Sequence, residues 1–283
     1  MPTQDDPAGL QPRVSVCIPT YNGAGTIAAT LASVLDQQFG DFELLVVDDG
    51  SRDETAAIVA GFRDQRIQYR RNERNLGPQG NWNRCLELVA GQYVKLLPHD
   101  DLLHPRCLAR QVAVLDADIE QRLALVFAAR AVIGPDGRVL LKKRGFRGGV
   151  EGRVDAAALV GTCVRRGVNV IGEPGAVLFR RDLARRIGGF DATNPYVIDL
   201  DYWVRLLAHG DAHYCDEALA SFRVWAGSWS VAIGAGQSSD YHGFVRRLAA
   251  AGSLSATGFD RFVGRFTPEL NNLARLWFYR LFL

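Results

Sequence analysis

The sequence predicts an α/β protein: a mostly parallel central sheet with helices on both faces in a single domain, followed by a C-terminal helical extension. Three observations lead there. Apolar runs short enough to be strands alternate with stretches of helical period from Val14 to Leu97. Acidic pairs stand directly after two of those runs, where an open parallel sheet carries its ligands. The chain has 283 residues, of which 48% are hydrophobic and 23% charged, enough to bury a full core.

Val14 to Ile18 is the first apolar strand, and Thr26 to Phe39 carries Ile27, Leu31, Val34 and Leu35 at helical spacing before Gly40. Phe42 to Val47 is a continuous apolar strand, and Ser51-x-x-Glu54 reads as a capping box opening a helix with Ile58, Val59 and Phe62 on one face. A short strand around Ile67 to Tyr69 follows. Trp82, Cys85, Leu86 and Val89 mark the next helix, with Gly91 as its stop, and Tyr93 to Leu97 is the fourth strand. Strand and helix alternating at this length favour a parallel sheet covered on both sides.

Beyond this point the rhythm changes. Pro105 opens a helix, Leu123 to Ile133 is a strand, and Gly134-Pro-Asp-Gly137 turns into Arg138 to Leu141, a hairpin. Lys142 to Gly172, rich in Arg and Gly with weak periodicity, is assigned no element and leaves room for a mobile loop. Ala176 to Phe179 is a strand, Asp199 begins a helix burying Trp203, Leu206 and Leu207 up to Gly210, and a further strand leads to Trp225.

A formal net charge of +2 gives no strongly basic surface and no support for a nucleic-acid partner. The five cysteines are widely spaced among apolar residues, without zinc or disulfide spacing, and read as reduced core residues. The opening residues lack the basic and apolar regions of a signal peptide, and no apolar run approaches the roughly 18 to 20 residues of a membrane span, so a cytoplasmic location is expected.

Gly23-x-Gly25-x-x-Ala28 is close to a dinucleotide fingerprint, which would make the protein an NAD-dependent oxidoreductase. Pro19, Thr20, Tyr21 and Asn22, however, intervene between strand and glycine, where a pyrophosphate must approach bare backbone. The acidic pairs offer another route. Asp48-Asp49 and Asp100-Asp101 each fit a turn before a helix, but two adjacent charges repel unless a cation offsets them. Mg²⁺ or Mn²⁺ held by one or two carboxylates, with water and phosphate oxygens completing the shell, accompanies a nucleotide diphosphate. An aspartate at the same sheet edge can accept hydrogen bonds from a base or ribose.

The segments "VSVCIPTYNGAGTIAATLASVLDQQFGDFELLVVDDGSRDET" and "NLGPQGNWNRCLELVAGQYVKLLPHDDLLHP" resemble the family 2 glycosyltransferases of the GT-A fold, with matching motifs in order from Val14 to about Trp229. The resemblance implies a nucleotide-sugar site built from Pro19, Thr20, Tyr21, Asp48, Asp49 and Asp100, and a metal site at Asp100 and Asp101. It implies inverting transfer of a sugar from a nucleoside diphosphate to a glycan or lipid-linked acceptor, in polysaccharide or cell-envelope glycan synthesis. It also organises the chain: a flexible N-terminus over 1–13; a domain over 14–235 with a nucleotide-binding half (14–104) and an acceptor-side half (105–235); and the extension over 236–283.

"VIDLDYWVRL" occupies the place of the family's acidic catalytic motif, with Ile198 where a Glu is usual and Asp199 kept as the base. On the residues alone, Asp199 reads as an N-cap and Asp201 as an exposed first-turn acid favoured by the helix dipole. Two other departures stand out: Pro98 replaces the acid that often opens the metal motif, and Trp225 stands where some relatives have a metal-reaching His, leaving the indole to stack on a ligand. His99 is not a substitute metal ligand. These departures keep open a noncatalytic sugar-nucleotide or glycan-binding module of the same fold. The tail "RLWFYRLFL" reads as a terminal helix packed on its own domain or another subunit, or as a contact with anionic lipid at the inner face of the membrane.

Overall fold

The structure, a computed structural model, describes residues 11–146, 150–252 and 256–282. Of the N-terminal segment expected to be flexible, residues 1–10 lie outside that description. Arg13 is tied down, its backbone N–H donating to Asp41 and its guanidinium to Gln92.

Three strand–helix pairs come first: β1 (Val14–Thr20) and α1 (Ile27–Leu35), β2 (Phe42–Asp48) and α2 (Thr55–Gly61), β3 (Ile67–Arg71) and α3 (Gly77–Leu88). They lead to β4 (Tyr93–Leu96), the two-residue β5 (Leu102–Leu103), and α4 (Cys107–Ala117). A hairpin follows, β6 (Leu123–Ile133) with β7 (Val139–Arg144), then β8 (Gly152–Val154) and α5 (Ala156–Arg166). The remainder runs β9 (Val177–Arg180), α6 (Arg181–Ile187), α7 (Ile198–Leu207), β10 (Asp211–Arg223), α8 (Trp229–Ile233), α9 (Gln237–Ala250), α10 (Gly258–Val263) and α11 (Thr267–Phe282).

All ten strands form one sheet, ordered β3-β2-β1-β4-β9-β6-β10-β5, with β7 on β6 and β8 on β10. The first four are parallel, β9 runs against β4 and β6, and β6 is parallel to β10. Reversal at β9 returns β6 and β10 to the direction of β1, so the carboxyl ends of six strands share one edge. Period-two alternation divides the core. Val16, Ile18, Leu44 and Val46 face a layer with α1 and α4, while Cys17, Leu45 and Val47 face another with α3, α5 and α7. Burial on both faces explains why β2 reads as an unbroken apolar run.

Several local signals act differently from their sequence reading. The first helix ends at Leu35 rather than Phe39, because Gln37 and Gln38 leave it to bond His104 and Pro105 of a distant loop. Ser51 is not a capping residue: its hydroxyl accepts the Asn22 N–H at 2.9 Å, and α2 starts at Thr55 without a side-chain cap. The segment from Lys142 to Gly172 contains the end of β7, all of β8 and α5, with 147–149 outside the description. All five cysteines are buried and free, as expected.

Gly91 is required by close approach, not by helix termination. A Cβ there would lie 2.4 Å from the backbone nitrogen of Ser15, whose hydroxyl accepts the Gly91 N–H at 2.7 Å. Gly91→Ala is therefore expected to force β1 away from the start of β4 and cost about 1–3 kcal/mol, read as a lower urea midpoint at unchanged m-value.

Candidate functional site

The loops after β1, β2 and β4 meet at the common carboxyl edge, joined there by the end of β10. The loop after β1 stays tight because Gly23 has no side chain: a Cβ would meet the Thr20 hydroxyl at 2.5 Å and the His99 ring at 2.9 Å. Gly25 touches nothing comparable, so the paired glycines make no phosphate cradle; Gly23 instead accepts the first bonds of α1 through its carbonyl. Pro19 and Thr20 are buried within β1 and Tyr21 is exposed at its end. The Thr20 hydroxyl is buried with no hydrogen-bond partner among the described residues.

Asp48 and Asp49 are both buried and both internally engaged. Asp48 accepts the Ser51 N–H at 2.8 Å, the Tyr69 hydroxyl, and Arg71 at 3.2 Å. Asp49 accepts the Leu76 and Gly77 N–H groups at 2.8 and 2.9 Å and the Asn72 amide at 2.8 Å. A carboxylate supplied by the neighbouring strand thus caps the N-terminus of α3, satisfying donors the helix cannot. The adjacency of the two acids follows from this division: one serves the β2–β3 side, the other α3.

Asp100 and Asp101 are held from β10. Arg223 donates its backbone N–H to Asp101 Oδ1 at 2.9 Å and its Nε to the Asp100 carbonyl at 2.8 Å, and the Trp225 indole donates to Asp100 Oδ2 at 2.9 Å. The Trp225 ring, anticipated as a stacking surface, spends its one polar group on this carboxylate. Asp100 Oδ1 and Asp101 Oδ2 receive no hydrogen bond among the described residues. Burial, then the charges of Asp100 and Glu173, raise the Asp101 carboxyl well above the ordinary range.

No group of three or more His, Cys, Asp or Glu among the described residues forms a preformed metal cage. Two adjacent carboxyl groups, each with one oxygen unbonded among the described residues, do fit a hard divalent ion that keeps water and phosphate oxygens for its other positions.

Across a cavity of about 180 Å³, these acids share a lining with Glu173, Asp199, Arg275 and Tyr279. Asp199 sits in the first turn of α7 but caps nothing, since Val197 precedes the helix without a side-chain cap. Its Oδ1 accepts the Leu200 N–H at 2.7 Å and its Oδ2 the Asn169 amide at 3.0 Å. Asp201, expected to be exposed, is buried against Arg205 at 2.9 Å and Arg247 at 2.6 Å.

The segment 169–175 is the support that sequence reading missed. Asn169 bonds both Asp199 and the Gly172 carbonyl, which also accepts the Trp203 indole at 3.0 Å. Lys95, fully buried, donates to the Gly175 carbonyl at 3.0 Å. Glu173 pairs with buried Arg130 and lies 3.7 Å from Arg144. The signal was present as "NVIGEPGA", but nothing in the string tells which of its polar residues faces Asp199. Burial, with Glu173 nearby as a second contribution, pushes the Asp199 carboxyl up to about 7.

The tail helix α11 also reaches this cavity. Arg275 stacks over Tyr196 at 4.8 Å, and Tyr279 and Phe278 turn inward, while Trp277 is 65% exposed. The side chains of 281–283 lie outside the description. No helix among the described residues is long and apolar enough to cross a membrane.

A covered α/β sheet with its acidic loops gathered at the carboxyl edge defines a protein of the GT-A class. Residues 15–188 match the model of glycosyl transferase family 2, and the chain belongs to that family. The NAD-enzyme reading of the glycines is thereby set aside. The chain is 37% identical over 206 residues to uncharacterized protein MT1568 of Mycobacterium tuberculosis, covering 70% of this chain and 62% of that protein. It is 37% identical over 102 residues, 36% of this chain and 40% of the relative, to the UDP-Glc:alpha-D-GlcNAc-diphosphoundecaprenol beta-1,3-glucosyltransferase WfgD of Escherichia coli. The fold matches S. aureus TarS 1-349 in complex with UDP-GlcNAc at a TM-score of 0.68 and 20% identity, over 94% of this chain and 71% of that one.

The raised Asp199 carboxyl has a stability consequence. Its folded value of about 7 exceeds the unfolded value near 3.8, so its favourable contribution is complete below the unfolded value and is lost as pH rises through 7. Asp199→Asn is expected to be more stable than the wild type at pH 8, by on the order of 1 kcal/mol. The gap should close below pH ~4, as thermal unfolding across that range would show.

Proposed function

We propose that the protein is an inverting glycosyltransferase that moves a sugar from a nucleoside diphosphate to a hydroxyl of a glycan or lipid-linked acceptor. The observation carrying this reading is that Asp100, Asp101 and Asp199, from opposite halves of the chain, line one cavity. The UDP-GlcNAc complex of the S. aureus structure supports the donor class, and the acceptor printed in the name of the E. coli relative supports a lipid-linked acceptor.

Asp199 takes the proton of the acceptor hydroxyl as that oxygen attacks the anomeric carbon and the bond to the diphosphate breaks. A carboxyl poised near neutrality suits this role, because it is ionised often enough to accept the proton and basic enough to hold it. Asn169 fixes one oxygen of Asp199. Asp100 and Asp101 would hold Mg²⁺ or Mn²⁺, which supplies charge stabilisation to the departing diphosphate. Pro19, Thr20, Tyr21, Asp48, Asp49 and Asp100 bind the nucleotide sugar at the carboxyl edge of the sheet.

The outer face of α10 and α11 supports work at a membrane, on the cytoplasmic side. Phe259, Phe262, Phe266, Leu270, Leu273 and Trp277 are exposed, beside exposed Arg261, Arg265 and Arg280. Such a face suits the boundary between acyl chains and anionic headgroups. Flotation with anionic vesicles is expected for the wild type and should fall in Phe262→Ser/Trp277→Ser, whose outward side chains leave the fold's thermal midpoint unchanged. Equal flotation of both proteins would remove this face from the mechanism.

A panel of nucleoside-diphosphate sugars, assayed for nucleoside diphosphate release with Mg²⁺ and Mn²⁺, tests the activity, and retained anomeric configuration in the product would exclude single displacement. Asp101→Ala is expected to abolish metal-dependent donor binding. Asp199→Asn should bind donor normally and lose about 10²- to 10⁴-fold in transfer rate. Transfer by Asp199→Asn at the wild-type rate would reassign the base.

A further inference from the structure

Asp100 and Asp101 each have one carboxyl oxygen committed before any ligand arrives. Asp101 Oδ1 accepts the Arg223 backbone N–H at 2.9 Å, and Asp100 Oδ2 accepts the Trp225 indole N–H at 2.9 Å. Both donors come from the end of β10 and the residues just past it. The bond at Asp101 is made by the strand's own backbone, whereas the bond at Asp100 depends on a single side chain. Asp101, 2% exposed, and Asp100 line the cavity that also holds Asp199; Trp225 is outside that lining and grips Asp100 from behind the wall.

The indole is itself aimed by a turn. The Trp225 carbonyl accepts the Ser228 N–H at 3.0 Å and the Ser228 hydroxyl at 2.9 Å, which closes 225–228 into a tight bend. The ring lies against Gly227, where a Cβ would come within 2.3 Å of Cζ3 and 2.4 Å of Cη2. Only glycine leaves the indole in this place. Indole has one donor and no acceptor, so the bond to Asp100 uses its only polar group. Trp225 is also uncharged. Its removal frees Asp100 Oδ2 without changing the net charge of the site.

A carboxylate with one oxygen held in a hydrogen bond offers a metal ion only the other. Mg²⁺ and Mn²⁺ accept such single oxygens, since a small octahedral ion fills its remaining positions with water and phosphate oxygens. Ca²⁺ gathers about six to eight oxygens and draws on carboxylates that bind through both. To take Asp100 in that way it must first displace the indole N–H.

We propose that Trp225 is a positioning residue that sets the metal selectivity of the site: by occupying Asp100 Oδ2 it leaves the acidic pair two single oxygens, which suit Mg²⁺ or Mn²⁺ and disfavour Ca²⁺. This rests on the reading of Asp100 and Asp101 as metal ligands, and adds which ion they select and which side chain makes the choice.

The test uses the full chain with UDP and Mn²⁺. Bound Mn²⁺ is followed by its paramagnetic resonance signal and displaced with Mg²⁺ or with Ca²⁺, UDP alone giving the protein-free baseline. In the wild type Mg²⁺ is expected to displace Mn²⁺ at a lower concentration than Ca²⁺ does. In Trp225→Phe the Ca²⁺ midpoint should fall about tenfold, the worth of the hydrogen bond to a charged group that Ca²⁺ no longer has to break. The Mg²⁺ midpoint should move by less than about threefold, because Mg²⁺ makes no use of the freed oxygen. Gly227→Ala keeps the indole but pushes it off Asp100, and should shift the ratio of the two midpoints in the same direction; it decides the matter if Trp225→Phe loses its thermal transition. A loosened fold by itself would weaken both ions together and leave the ratio fixed. The same ratio in the wild type and both variants, or a wild type that prefers Ca²⁺, would overturn the inference. Failure of the metal-ligand reading has a different signature, wild-type protein that binds no Mn²⁺ above the UDP baseline, and the inference falls with it.

Discussion

The site depends on the burial of Arg223 at the end of the last long strand. A guanidinium with 5% exposure must find acceptors inside the protein, and Arg223 finds them on the Asp100, Gly134 and Pro135 carbonyls, while its backbone N–H holds Asp101. One residue thereby locks together the ends of β4 and β10 and the turn between β6 and β7. Two residues on, the Trp225 indole is brought to the second oxygen of Asp100. The acidic pair is consequently aimed by the half of the chain that also carries Asp199.

Charge compensation explains the layout around that clip. Asp48 and Asp49 find donors within the fold, in Arg71 and at the start of α3. Asp101 and Asp199 have hydrogen bonds but no ion pair among the described residues, and both carboxyls are raised by burial and by neighbouring acids. Asp100, Asp101 and Asp199 line one cavity, and Arg144 and Arg275, which reach it as well, also line the next. Glu173 sits at the boundary, pairing with the cationic side while raising the proton affinity of Asp199.

The C-terminal helix connects these cavities to the outside. Arg275 and Tyr279 face inward and Trp277 and Leu273 outward, so a single amphipathic element can present a surface and line a pocket together. A tail that reads as apolar nearly all round is, in the fold, divided between two environments. Its inward residues line the cavity beside Asp199, beyond the family match over residues 15–188.

The alternation of strands and helices, the hairpin at Gly134 to Gly137, the buried cysteines and the positions of the acidic loops were all legible in the sequence. Each rests on periodicity or turn chemistry within a few residues, where the chain's own geometry is decisive. The reversal at β9, the end of α1 and the true work of Ser51 and Gly91 were not, because each is set by a partner far along the chain. The same holds for the site: Asp100, Asp101 and Asp199 could be singled out as acids at strand and helix ends, but their convergence, the Asn169 and Glu173 support and the Trp225 hydrogen bond exist only once the sheet has closed. Local pattern determines which elements form, whereas side-chain direction and charge compensation are long-range, and only the tertiary structure decides them.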